Sequence, residues 1–335
     1  HREKNGWTGD AHLAAEFAMY AFDNTAAYAK WVWDLLDEQQ PDGRLPGIVP
    51  TSGWGYQWGN GPAWDSALLM IPWLLYVYRG DRACLAEAYE GMRRYVDYLG
   101  TCASNGIVRF GLGDWIPVTS QTPVEVTSTG YYYADVRIVA RAAAVLGRTE
   151  EAQRYDALPD QIARAFRQAF HQGEGRYSIA SQTAQACALH QGLVPAEEQA
   201  DVVARLIEAV ERTGRAPDFG ILGSKYVFRS LSDAGRTDLA FALATRETPP
   251  SFGAWIRRGA TTFWEDWGDG ASRNHVMFGD VAAWMVQYLA GIRLPPSVSR
   301  IGGPTDPAHI AFREFLVAPE PVEGLGAVRA WHDSP

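Results

Sequence analysis

Cysteine is scarce: Cys84, Cys102 and Cys187 are the three in 335 residues, an odd number, far apart, with no CxxC and no histidine partner. That pattern excludes a disulfide framework and a thiolate metal site, and leaves small buried hydrophobes within helical stretches. The redox compartment stays open. No run of about 18 apolar residues occurs, so nothing reads as a membrane-crossing helix. Basic residues are the minority, 30 against 39 acidic, for a net charge of −9. A nucleic-acid backbone demands a basic face, so that partner is excluded and a neutral or cationic ligand fits better. The sequence opens HREKNGWTGDAHLAAEF without initiator methionine or leader. Charge, an indole and a helix start, with Thr8 or Asp10 as N-cap, crowd these first turns, so the segment reads as cut from a longer protein.

What is abundant is apolar surface and tryptophan. At 47% hydrophobic residues the chain can bury a large core, as one toroidal or barrel-like domain or as two ordinary ones. Apolar residues recur at three- and four-residue spacing in stretches such as PAWDSALLMIPWLLYVYRG, STGYYYADVRIVARAAAVLG and PAEEQADVVARLIEAVERTG, predicting ten to twelve helices over the chain. Connections alternate between tight (RGDRA, GRTEE) and long, Gly-, Pro- and Trp-rich (PDGRLPGIVPTSGWGYQWGNGPAW, TPPSFGAWIRRGATTFWEDWGDGASRN). Helical hairpins in a ring produce this alternation, with short turns on one rim and functional loops on the other. The tail FREFLVAPEPVEGLGAVRAWHDSP instead alternates like strands, as the start of a β-domain.

Eight of the 13 tryptophans lie in or beside the long loops: Trp7, Trp54, Trp58, Trp64, Trp115, Trp255, Trp264 and Trp267. An indole presents a flat apolar face that matches the C–H face of a pyranose, whose hydroxyls seek carboxylates. Any one of these rings can equally be a core anchor. The acids in the same loops are Glu3, Asp10, Asp42, Asp65, Asp114, Glu265, Asp266 and Asp269; singly, each reads as a solvated charge or a cap, Asp10 and Asp65 above all. Glu3, between Arg2 and Lys4 and ahead of Trp7, and Glu265, between Trp264 and Trp267, have surroundings suited to holding one carboxyl protonated and another ionised. A divided acid–base pair is what glycoside hydrolysis needs.

Taken in order, HREKNGWTGDA, DGRLPGIVPTSGW, WDSALLMIPWLLYVYRGD, GDW with TPVEVTSTGYYY, and ATTFWEDW with NHVMFG resemble the successive signatures of the α-L-rhamnosidases of glycoside hydrolase family 78. The resemblance implies an all-α catalytic domain, an (α/α)6 barrel of helical hairpins over residues 1–293, with residues 294–335 a linker and the start of a C-terminal β-sandwich. It implies an inverting hydrolase without metal or cofactor, acting on rhamnosylated small molecules or polysaccharides, with Glu3 as general acid and Glu265 as general base. It places Trp7, Asp10, Trp64, Asp65, Trp115 and His275 at the rhamnose, a further acid upstream of Glu3, and flanking β-sandwich domains in the same protein.

His275, starting a helix after Asn274, has a plainer reading as a hydrogen-bonded helix-end residue. Two other functions remain open at the level of sequence. A helical-toroid polysaccharide lyase would use Asn274, His275 and one of Tyr131 to Tyr133 to abstract a proton, with Arg257, Arg258 and Arg273 neutralising a uronate. A non-catalytic carbohydrate-binding domain would keep only the aromatic platform.

Overall fold

The computed structural model describes residues 3–51, 53–57, 60–295, 298, 303 and 306–334. Among them fourteen α-helices follow one another: α1 (Thr8–Ala21), α2 (Thr25–Glu38), α3 (Pro62–Asp65), α4 (Ala67–Arg79), α5 (Arg82–Cys102), α6 (Val124–Leu146), α7 (Thr149–Asp156), α8 (Pro159–Phe170), α9 (Gln182–His190), α10 (Gln199–Arg212), α11 (Ile221–Asp233), α12 (Thr237–Thr245), α13 (Phe252–Arg257) and α14 (Asp280–Trp284), the last running on as a π-turn over Met285–Leu289.

Their burial sorts them into two layers. On α4, every residue but Tyr76 and Arg79 is buried, as expected of a helix apolar nearly all round. By contrast α8 buries Ile162, Phe166 and Phe170, and α10 buries Val202, Leu206, Ala209 and Val210, each a single stripe. Helices α1, α4, α6, α9, α11 and α14 contact one another in that order, and α14 returns to α1. The ring therefore closes, and α2, α5, α7, α8, α10 and α12 pack on its outside. This is the expected all-α barrel of hairpins.

Short connections, such as the one capped by left-handed Gly80 after α4 with Asp81 accepting from the Cys84 amide, sit at the C-terminal ends of inner helices. The long loops all lead into inner-helix N-termini, which gathers them on one rim. Inside the ring, Glu16 (α1), Lys225 and Arg229 (α11) and Asp280 (α14) form a buried four-charge network, with Lys225 Nζ 2.6 Å from Glu16 and 2.7 Å from Asp280. Tyr78 of α4 donates to Glu16 at 2.8 Å. Burial alone would raise the Glu16 carboxyl, but the two cations hold it well below the usual range.

Three local expectations change. Helix α1 begins at Thr8 with extended Trp7 as its N-cap and no side-chain cap; Thr8 Oγ1 donates to the Gly47 carbonyl, and Asp10 lies within the first turn. The predicted single helix from Pro62 onward breaks at Ser66 into α3 and α4. Among its described residues the tail contains one strand, Leu316–Val317 (β2), paired antiparallel with Ile292–Arg293 (β1), because Pro319, Pro321 and the following glycines break the ladder. Just before β2, Ile310 and Phe312 of a 3-10 turn are buried, with Phe312 against Tyr20 and Tyr78. Cys84 and Cys187 are buried and Cys102 half-buried, all as free thiols; burial pushes the Cys84 thiol up to about 12.

Candidate active site

On the loop-bearing rim lies a cavity of about 460 Å³ lined by Glu3, Asn5, Trp7, Asp10, Trp54, Trp64, Leu112, Trp115, Glu265, His275 and Met277. Backbone pairing builds it as two walls. In the first, the segment 3–7 pairs with the loop before α3: Val49 N donates to Gly6 O at 2.9 Å, Thr8 N to Gly47 O at 3.0 Å, and Gly47 N to Gly55 O at 3.1 Å. Glu3, Asn5, Trp7 and Trp54 belong to this wall. The Glu3 carboxyl is fixed by the amides of Lys4 and Asn5, both donating to Oε1 at 2.9 Å. Trp54 meets Trp7 edge-on, 6.2 Å between centroids.

The second wall comes from the loops before α6 and α14. The Trp115 carbonyl accepts from Ile221 N, a contact that needs Gly220, since a Cβ there would lie 2.5 Å from the Trp115 carbonyl carbon. Asp114 anchors the same loop by accepting from Thr183 and from the amides of Gly220, Leu222 and Gly223, which cap α11. Trp115 itself is 43% exposed. The Glu265 loop is a small hairpin: Glu265 N donates to Ser272 O at 2.8 Å, His275 N to Phe263 O at 2.9 Å, and Ser272 N to Glu265 Oε2 at 2.9 Å. Beneath it Trp267 stacks on Trp255 at 5.1 Å and donates to Phe219 O at 2.8 Å. Trp255, Trp264 and Trp267 are thus buried supports of the hairpin, which answers the core-or-platform question for these three. Trp58 lies outside the described residues.

The floor is Asp10 and Trp64. Helix α3 sits directly on α1 because residue 9 is glycine; a Cβ there would stand 2.8 Å from the Trp64 ring. His12 bonds the Ala63 carbonyl at 2.9 Å, and burial lowers the His12 ring to about 4, so it is neutral. His275 joins floor to second wall. Its Nε2 pairs with Asp10 Oδ1, and its Nδ1 lies 3.7 Å from Glu265 Oε2 with no hydrogen-bond partner among the described residues. Burial pulls the imidazole down, but the hydrogen bond and charge of Asp10, with the charges of Glu265 and Glu3, more than offset this and leave His275 above its ordinary value. Burial raises Asp10, opposed in part by His275.

Seven of the eight residues expected at the site line this one cavity. Asp65 does not. It is 1% exposed, accepts from Asn60 at 2.8 Å and from Tyr95 at 3.2 Å, and burial pushes its carboxyl well above the usual range. Consecutive helical residues point about 100° apart, so with Trp64 facing the cavity its neighbour faces the core. Asn5, Leu112, Met277 and Trp54 line the cavity as well; in sequence Trp54 reads only as a loop aromatic, and the apolar pair carries no chemical signal.

Residues 1–289 match the bacterial alpha-L-rhamnosidase 6 hairpin glycosidase domain. An alpha-L-rhamnosidase of Streptomyces avermitilis is 32% identical over 98% of this chain and 31% of its own length. The structure of a Streptomyces avermitilis alpha-L-rhamnosidase complexed with L-rhamnose superposes with a TM-score of 0.87 at 30% identity, covering 96% of this chain and 31% of that one. The alpha-L-rhamnosidase from Dictyoglumus thermophilum gives a TM-score of 0.87 at 34% identity, over 96% of this chain and 36% of that one. The chain thus spans about a third of the length of these relatives. In ring, rim and sequence alike, it belongs to the bacterial α-L-rhamnosidase six-hairpin glycosidase domains.

Proposed function

We propose that this domain hydrolyses terminal α-L-rhamnosides of small molecules or polysaccharides by inverting single displacement, with Glu3 as general acid and Glu265 as general base. The observation that carries the reading is the cavity itself: four indoles enclose it, and three carboxyl groups, Glu3 and Asp10 from the first ten residues and Glu265 from the loop before α14, meet in it around His275. Flat apolar faces with convergent polar groups suit a pyranose. Glu265 takes a proton from water as the water oxygen bonds to C1, the C1–oxygen bond to the leaving group breaks, and Glu3 gives its proton to that oxygen. The Lys4 and Asn5 amides on Oε1 hold the Glu3 carboxyl in place on its wall. Asp10 and His275 bind sugar hydroxyls, while Trp7, Trp64 and Trp115 cover the ring.

The lyase reading loses its parts. Tyr131 is buried against His12 and Tyr226, Arg257 pairs with Glu247 on the surface, and neither tyrosine nor arginine lines the cavity among the described residues. A panel of aryl glycosides tests the proposal. The α-L-rhamnoside is expected to release its aryl alcohol, while other glycosides give little, and uronate polymers give no unsaturated product. Binding of L-rhamnose without turnover of any glycoside would instead establish a binding domain.

A further inference from the structure

We infer that Trp54 is the platform of the leaving-group subsite, selecting aglycones that offer a flat apolar face, whether an aromatic ring or the C–H face of a second sugar. The inference rests on the acid assignment above and deepens it.

A general acid must reach the leaving oxygen by a hydrogen bond, so the rest of the leaving group extends from a point next to the Glu3 carboxyl. Asn5, Trp7 and Trp54 stand on the same wall as that carboxyl and line the same cavity. Backbone bonds from Gly6 and Gly55 converge on the segment Gly47–Val49, which fixes the Glu3 segment and the Trp54 loop in one unit. Trp54 and Asn5 are its lining residues that no role in holding the rhamnose claims. Trp7 holds the Trp54 ring at 89° to its own plane, edge against face, so the two indoles meet the cavity in different planes. One plane can stack on the rhamnose ring and the other on the aglycone attached to it. Glu265 and Trp115 belong to the second wall, which serves the water and the sugar.

The test compares phenyl with methyl α-L-rhamnoside, each variant referred to the unsubstituted protein on the same substrate so that intrinsic leaving-group reactivity cancels. Trp54→Leu is expected to lower the phenyl-to-methyl ratio of kcat/KM about tenfold, the scale of one lost aromatic stack. The inhibition constant of free L-rhamnose is expected to stay within about twofold. Trp54→Phe, which keeps a flat ring, is expected to restore most of the ratio; restoration separates stacking from a general loss of loop structure. An unchanged ratio in Trp54→Leu would overturn the assignment. So would a parallel rise in the L-rhamnose inhibition constant, which would move Trp54 into the sugar pocket. Failure of the unsubstituted protein to cleave either rhamnoside would overturn the underlying hydrolase reading, an outcome visible before any variant is made.

Discussion

Glu265→Gln is expected to lower turnover on every rhamnoside by about a hundredfold or more, the usual share of a positioned general base, or about 2.7 kcal/mol of transition-state stabilisation. The geometry keeps the hairpin in place on substitution. Glu265 Oε2 accepts from the Ser272 amide at 2.9 Å, a bond the glutamine carbonyl can keep, and the hairpin beneath is held by Trp267 and by its own backbone pairs. Binding of L-rhamnose is therefore expected to survive, and isothermal titration checks it. Because water must be activated whatever the leaving group, the loss should be uniform across substrates. Near-native turnover would remove Glu265 from the base role.

Glu3→Gln is expected to act selectively. A leaving alkoxide needs its proton, whereas an activated nitrophenolate leaves almost without one, so kcat on a natural rhamnoside should fall about a hundredfold or more while the nitrophenyl substrate suffers far less. The amides of Lys4 and Asn5 that fix the carboxylate remain able to fix the amide. Steady-state kinetics on the two substrates read the difference directly. Equal damage to both would show that Glu3 shapes the cavity rather than donating a proton.

The fold was legible because helical periodicity is long and repeated, and because tight and long connections alternate. What periodicity alone could not give is the order of the ring, which depends on which faces meet in space. In the tail, the alternation corresponds among the described residues to one short strand, Leu316–Val317, whose ladder two prolines limit. In the site, Glu3 and Glu265 stand out by their surroundings, whereas Asp10 and His275 enter only through the family resemblance, and composition cannot say which side of a loop an indole faces. Trp264 and Trp267 flank Glu265 in sequence and are buried supports, whereas Trp7, Trp54, Trp64 and Trp115 line the cavity. Asp65 is expected at the sugar only through the family resemblance, and one residue of helical rotation from Trp64 turns it into the core. The Asp10–His275 link joins residues at opposite ends of the chain, a contact no local pattern encodes.

As the proposed inverting pair, Glu3 and Glu265 are expected to work across a gap that admits a water. An inverting pair stands about 6.5–9.5 Å apart, while a nucleophile and its acid stand about 5–5.5 Å apart. The two arrangements deliver opposite anomers. Proton NMR in the first minutes of hydrolysis of an α-L-rhamnoside, before mutarotation equilibrates the sugar, tests this most directly. β-L-rhamnose is expected as the initial product; initial α-L-rhamnose would rule out the inverting pair and make Glu265, or Asp10 at the other nitrogen of the His275 ring, a nucleophile.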